Sequence, residues 1–339
     1  LTTFVRSESD VPEVEDVPRS LATQHSPVDI AFRYGSRSVG VLVLLLTGSI
    51  GLFLGWQSVP TLRHYGFSFF TESQFNPERN IVGIASALVG TIEVAIIALV
   101  VAFPLALFTA LFISEYAPPK LRSLMVSAID LMAAVPSIIY GVWGFGLLQP
   151  QALWVARWLA QWFGWIPFFK VNDADPRAPV ITQFRYELSA FTAGIVVAMM
   201  VIPLACAVMR NVFAQTPPGE REAALALGST RWGMIRAVVL PFGRAGIIGG
   251  SMLGLGRALG ETIAVLLIIS VDFHLKIRVL ENGTITISSL IADRFGDATS
   301  AQLSALLAAG FVLFLMTLLV NTLAAIVVNR SRSGAGVDI

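Results

Sequence analysis

The sequence predicts an all-α polytopic membrane protein with six transmembrane helices. Three observations carry that expectation. Hydrophobic residues make up 55% of the 339-residue chain and charged residues only 13%, against roughly 25% charged in a soluble domain. Apolar runs of about 18 residues or more, enough to cross the hydrocarbon, recur along the chain. Polar connections between them hold nearly all the Lys, Arg, Asp and Glu.

The elements follow in order. Residues 1–37 read as a polar cytoplasmic tail, with Glu8, Asp10, Glu13, Glu15 and Asp16 among three prolines and little apolar periodicity. The tail lacks the basic start and apolar run of a cleavable signal peptide. A transmembrane domain over 38–330 comes next, and 331–339 is a short cytoplasmic tail. Its spans are expected at 38–56, 83–113, 124–148, 189–209, 245–271 and 301–328. The second is long enough to tilt or to continue past the hydrocarbon. Pro104, Pro136 and Pro203 fall inside spans two, three and four. In a soluble helix each would cost about 3 kcal/mol, but in a membrane bundle neighbouring helices satisfy the freed carbonyl. Kinks are expected at all three. Span three, where Gly141 and Gly144 follow Pro136, should bend most.

Basic residues set the orientation. Thirteen of the 23 Lys and Arg fall on the side that carries both termini, most of them close to span ends. The positive-inside rule makes that side cytoplasmic. On the other side, the insertion 149–188 carries Trp154, Trp158 and Trp162 at i, i+4, i+8, with Trp165 beyond. Spaced so, they line one face of a helix, either a short interfacial helix on the external surface or one packed on the bundle.

The cytoplasmic loop 211–244 is too polar to span. Within it, residues 222–241 read as two short helices broken at Gly228, with Ser229 or Thr230 placed to cap the second. Four charges lie inside the spans: Glu93, Asp130, Arg257 and Glu261. At a helix centre such groups cost about 3 kcal/mol each, so they should face the bundle interior and find partners. For Glu93 and Asp130, a hydrogen-bonded structural carboxylate and a contact with cargo are both open. Arg257 and Glu261, four apart, should share one face of span five, flanked by Gly254, Gly256 and Gly260 that admit a close neighbour. An Arg there suits the binding of a dehydrated anion. Glu261 would either neutralise it until the anion arrives or form a permanent salt bridge.

Two resemblances sharpen this reading. Glu222, Ala223 and Ala224, then Gly228, then Val238, Leu240 and Pro241 resemble the EAA signature of ABC importer permeases, departing only in Val238 where Ile is usual. The runs around 256–265, 130–141, 90–91 and 114–118 resemble the phosphate-specific (Pst) branch of those permeases, over about residues 39–330. The external insertion and the extra first span suggest its PstC-type subunit. The resemblance implies a type I ABC importer permease fold and ATP-driven phosphate import by alternating access. It implies a second, PstA-type permease subunit, two copies of an ATPase carrying ATP and Mg, and an external phosphate-binding protein. It also implies an ATPase-coupling role for Glu222, Ala223, Ala224, Gly228, Leu240 and Pro241. Arg257 and Glu261 match phosphate-path positions, with Thr262 and Ser137 beside them.

What the chain lacks also discriminates. It carries no Gly-x-x-x-x-Gly-Lys-Ser/Thr loop, no His-Glu-x-x-His and no Gly-x-Ser-x-Gly. One cysteine, Cys206, and three scattered histidines offer neither a disulfide framework nor a metal cluster. No catalytic residue or cofactor is therefore expected on the chain itself and no nucleic-acid partner is expected, while the net charge of +1 is uninformative about partners. Other readings stay open: a sulfate or molybdate permease, a channel or secondary transporter using Arg257 and Glu261, or an intramembrane enzyme using Asp130.

Overall fold

A computed structural model describes residues 26–172, 175–177 and 184–331. The chain divides into two units, one ending at Ile50 and one running from Gly51. The first unit's described part is the beginning of α1 (Pro27–Tyr65), and every residue of it is exposed. Helix α1 is long and apolar enough to cross a membrane. Helix α1 starts at Pro27 and ends at Tyr65, so it is longer at both ends than the expected 38–56. Residues 27–37 are thus helix rather than tail. The remaining tail, 1–25, and the C-terminal 332–339 lie outside the described residues.

In the second unit a short helix α2 (Ser68–Thr71) and a hairpin of β1 (Phe75–Asn76) and β2 (Ile81–Val82) lead to α3 (Ala85–Leu111). A π-helical turn at Phe112–Tyr116 ends that span, and α4 (Pro119–Ala134) follows. Next come α5 (Ser137–Trp143), a π turn at Gly144–Leu148, and α6 (Gln149–Phe163). Helix α7 (Ala190–Ala214) descends to α8 (Pro218–Ala226) and α9 (Arg231–Met234). A third π turn, Ile235–Val239, carries the chain into α10 (Leu240–Leu259). The chain closes with α11 (Ile263–Leu266), α12 (Ile287–Arg294) and α13 (Ser300–Ser331).

Five of these runs are long and apolar enough to cross a membrane, and the broken pair Pro119–Ala134 and Ser137–Phe163 makes a sixth. Helix α3 packs along α7, the most extensive helix pair in the fold. Buried alanines make that possible: Ala95, Ala98, Ala102, Ala106 and Ala110 on α3 meet Ala193, Ala198 and Ala205 on α7 within shared core clusters. Lipid gives no hydrophobic drive between helices, so close backbone approach and dispersion must hold them together. Helix α10 packs on α7, α13 and α3.

The prolines divide in an instructive way. Pro104 and Pro203 sit inside unbroken helices, whereas the chain bends by 94° around Pro136. The expected single span 124–148 is therefore two helices. Tyr140 Oη bridges the break by donating to the Met132 carbonyl at 2.8 Å. The tryptophan helix α6 continues α5 through the π turn, as one run from Ser137 to Phe163. Its Ala152, Ala156 and Ala160 are buried, while Trp154, Trp158 and Trp162 are exposed, so the tryptophans do not pack on this chain's own bundle.

Candidate functional site

The site centres on the inner end of α10. That helix stops at Leu259, so the fifth span is not helical through 271, and Glu261 does not share the helical face of Arg257. Gly260 closes the helix and the backbone turns into α11, which aims the two side chains differently. No ion pair joins Arg257 to Glu261 among the described residues. Neither the resting neutralisation nor the permanent salt bridge is present.

Arg257 is half-buried in the last turn of α10, where the helix dipole favours a cation. Its Nε is buried with no hydrogen-bond partner. Gly141, the residue after Tyr140, presses on α11 so closely that a Cβ would fall 2.8 Å from Ala264 Cα. Half-buried Ser137 opens α5, one turn before Gly141, and Thr262 precedes α11. The contact between α5 and α11 thus brings the segments carrying Ser137, Thr262 and Arg257 to one neighbourhood.

Glu261 has another task. The residue is 8% exposed, and its Oε1 accepts from the Ala264 amide at 3.3 Å. It thereby supplies a carboxylate to the first turn of α11, whose amides lack partners of their own. Ser288 Oγ donates to the Glu261 carbonyl at 2.7 Å, and Thr91 Oγ1 accepts from the Ile287 amide at 2.9 Å. Gly90 lets the chain come that close, since a Cβ there would meet the Ile285 carbonyl oxygen at 2.2 Å. The break after α10 is therefore clamped from α3 through residues 284–288. Ser288 carries no local signal that marks it for this role, and sequence reasoning missed it.

The other two intramembrane charges lie apart. Asp130 pairs with Arg210 at the end of α7, 3.6 Å away, and its side chain is 54% exposed. Glu93 lies against an apolar cleft lined by Leu159, Phe168, Phe191 and Val279, with Oε1 buried and unpartnered. In the connection after α11, burial opposes ionisation of Asp272. Hydrogen bonds from Lys276 and from the amide and ring of His274 outweigh it, with the Lys276 charge, and bring the carboxyl down to about 2.

The polar loop between α7 and α10 is built differently. Helix α8 carries Glu222, Ala223 and Ala224 and buries none of its residues. Gly228 takes φ +84° with nothing near its Cα hydrogens, and the Ser229 amide closes the turn on the Ala224 carbonyl at 3.2 Å. Only glycine adopts that backbone without strain. Of the two candidate caps it is Thr230 that serves, accepting from the Gly233 amide at 3.1 Å. Leu240 and Pro241 open α10, and the apolar run Arg231–Leu259 carries the loop directly to Arg257. Sequence reasoning also passed over Glu115 and Arg221, which form an ion pair of 3.1 Å beside this loop.

Known proteins with this pattern give the arrangement its context. Residues 102–333 match the family model described as binding-protein-dependent transport system inner membrane component. A phosphate transport system permease protein PstC of Pasteurella multocida is 37% identical, over 92% of this chain and 95% of its own. One from Xylella fastidiosa (strain Temecula1) is 38% identical over 94% of this chain and 96% of its own. Among solved structures, a bacterial ABC transporter that imports the acidic polysaccharide alginate shares the fold, with TM-score 0.55 at 18% identity, over 89% of this chain and 97% of that one.

Proposed function

The chain belongs to the binding-protein-dependent transport system inner membrane components and to their PstC phosphate permeases, and on that premise we propose that it forms part of the path by which phosphate enters the cell. It is a multi-pass inner-membrane permease subunit of an ATP-driven importer, and ATP hydrolysis lies on a separate subunit. We assign it a PstA-type partner permease, two ATPase copies that hold ATP and Mg, and an external phosphate-binding protein. Both termini face the cytoplasm. ATPase closure, received at Glu222, Ala223, Ala224 and the turn at Gly228, displaces α10 and switches access between the two sides.

One observation carries the cargo reading: a half-buried guanidinium within the membrane whose Nε has no partner. A donor left unsatisfied in a poorly hydrated site is costly unless an anion completes it, and guanidinium binds phosphate oxygens in a planar fork. Thr262 and Ser137 add hydroxyls to the same neighbourhood. Arg257→Gln should abolish labelled-phosphate uptake in proteoliposomes while the ATPase and partner permease still co-purify. Wild-type uptake by that variant would remove Arg257 from the path, and uptake of sulfate or molybdate instead of phosphate by the wild type would reassign the cargo.

A further inference from the structure

An ion pair between Arg221 and Glu115 joins helix α8 to the bundle beside the coupling loop. Arg221 precedes Glu222 in α8, and its guanidinium reaches two other elements. It lies 3.1 Å from Glu115 Oε1, in the π turn that ends the second span. It also donates to the Phe213 carbonyl at 2.6 Å, at the cytoplasmic end of α7. Ser114 Oγ donates to the same Glu115 oxygen at 2.7 Å. The Glu115 side chain is only 5% exposed and that of Arg221 24%, so water screens the pair little.

The geometry extends to a fourth element. Phe213, whose carbonyl takes the Arg221 hydrogen bond, is fully buried. Its ring lies against Gly243 near the start of α10, where a Cβ would fall 2.4 Å from it. Helix α8 buries no residue fully, and the apolar packing that holds it to the bundle comes from half-buried Ala224 against the cluster around Phe213 and Ile235. A helix with so little apolar contact would swing about the turn at Gly228 when pushed. The contact through Arg221 removes that freedom.

We propose that Arg221 is a positioning residue of the transport cycle, fastening α8 to the cytoplasmic ends of α3 and α7 through Glu115 and the Phe213 carbonyl, so that a push on α8 moves those spans together with α10. The proposal rests on the coupling role assigned to α8. It gives the loop two outputs: α9 leads covalently into α10, and Arg221 carries the motion into α3 and α7. The π turn at Phe112–Tyr116 is what directs Glu115 to the guanidinium, as π turns often do at working sites.

The test uses the complete importer in nanodiscs, with Cys206→Ala and spin labels at Tyr116 and Glu220. In the wild-type background the label distance should be narrow and the same with and without ATP. In Arg221→Gln it should broaden and change with ATP, and ATP consumed per phosphate carried should rise about fivefold or more. Arg221→Lys, which keeps charge and one donor, should restore part of both. A narrow, nucleotide-independent distance with the wild-type ATP ratio in Arg221→Gln would overturn the proposal. Should Arg221→Gln fail to assemble, Glu115→Gln carries the same expectation, and failure of both to assemble would reduce the pair to a structural role. The distance needs no cargo, so a wild-type importer that carries no phosphate would sink the cargo reading and leave this test intact.

Discussion

The two ends of the α9–α10 arm are held by different physics. At the loop end the turn between α8 and α9 is closed within itself: the Thr230 side chain takes the Gly233 amide, and Ser229 reaches back to Ala224. At the membrane end, the stop after Leu259 is held from afar. Ser288 grips the Glu261 carbonyl, and Thr91 and Gly90 grip residues 285 and 287 in turn. A locally closed turn keeps its shape while its surroundings move, which suits a part that receives a push. A break clamped by three separate segments keeps its shape only while they stay together, which suits a part that must respond to how the spans are arranged.

The comparison can be broken most severely at Gly90. Gly90→Ala would drive a Cβ to 2.2 Å from a backbone oxygen and 2.7 Å from Thr284 Oγ1, so the 284–288 clamp must move. Overpacking of this kind costs about 3 kcal/mol. The expected outcome is a lower thermal midpoint of the purified complex and lost uptake, read by scanning fluorimetry and labelled phosphate. An unchanged midpoint would mean that the clamp yields freely and does not hold the break.

Ser288→Ala should act at the same place with a smaller effect. It leaves the buried Glu261 carbonyl without its side-chain donor, at a cost of about 1.5 kcal/mol. The capping box of Thr286 and Ser289 stays, losing only the 3.3 Å contact between the Thr286 and Ser288 hydroxyls, so α12 should persist. Uptake should fall more than assembly does, since the segment between Arg257 and α11 loosens while the spans stay packed. Equal losses in uptake and in assembled complex would mark Ser288 as ordinary packing.

The same contrast explains what could be read from the sequence. The turn at Gly228 and the cap at Ser229 or Thr230 are local devices, written within a few residues of where they act. Pro136 is equally local, and its bend was expected, although not that the span would separate into two helices at 94°. The end of α10 was missed because residues 245–271 form one continuous apolar run, and its hydropathy hides the polar Gly260, Glu261 and Thr262 that stop the helix. Assuming a helix there put Arg257 and Glu261 on one face. The hydrogen bond that sets the true direction of Glu261 comes from Ser288, 27 residues away. The ion pair of Glu115 and Arg221 was hidden for the same reason, since only tertiary structure brings the end of one span to the loop after another.

The smallest expected effect tests the local side of the comparison. Thr230→Ala removes the acceptor for the Gly233 amide and should cost α9 about 1 kcal/mol of helix stability. The loss should stay local, since Thr230 and Gly228 are exposed and the end of α9 is held separately by Met234 and Ile235, buried in the core cluster. Amide exchange should quicken about fivefold in residues 231–234, as 1 kcal/mol requires, and hardly at all in α7 or α12. Thr230→Ser keeps the oxygen and should exchange as the wild type does. Faster exchange spreading into 284–288 would mean that the loop and the distant clamp already form one cooperative unit, and the division drawn between them would fail.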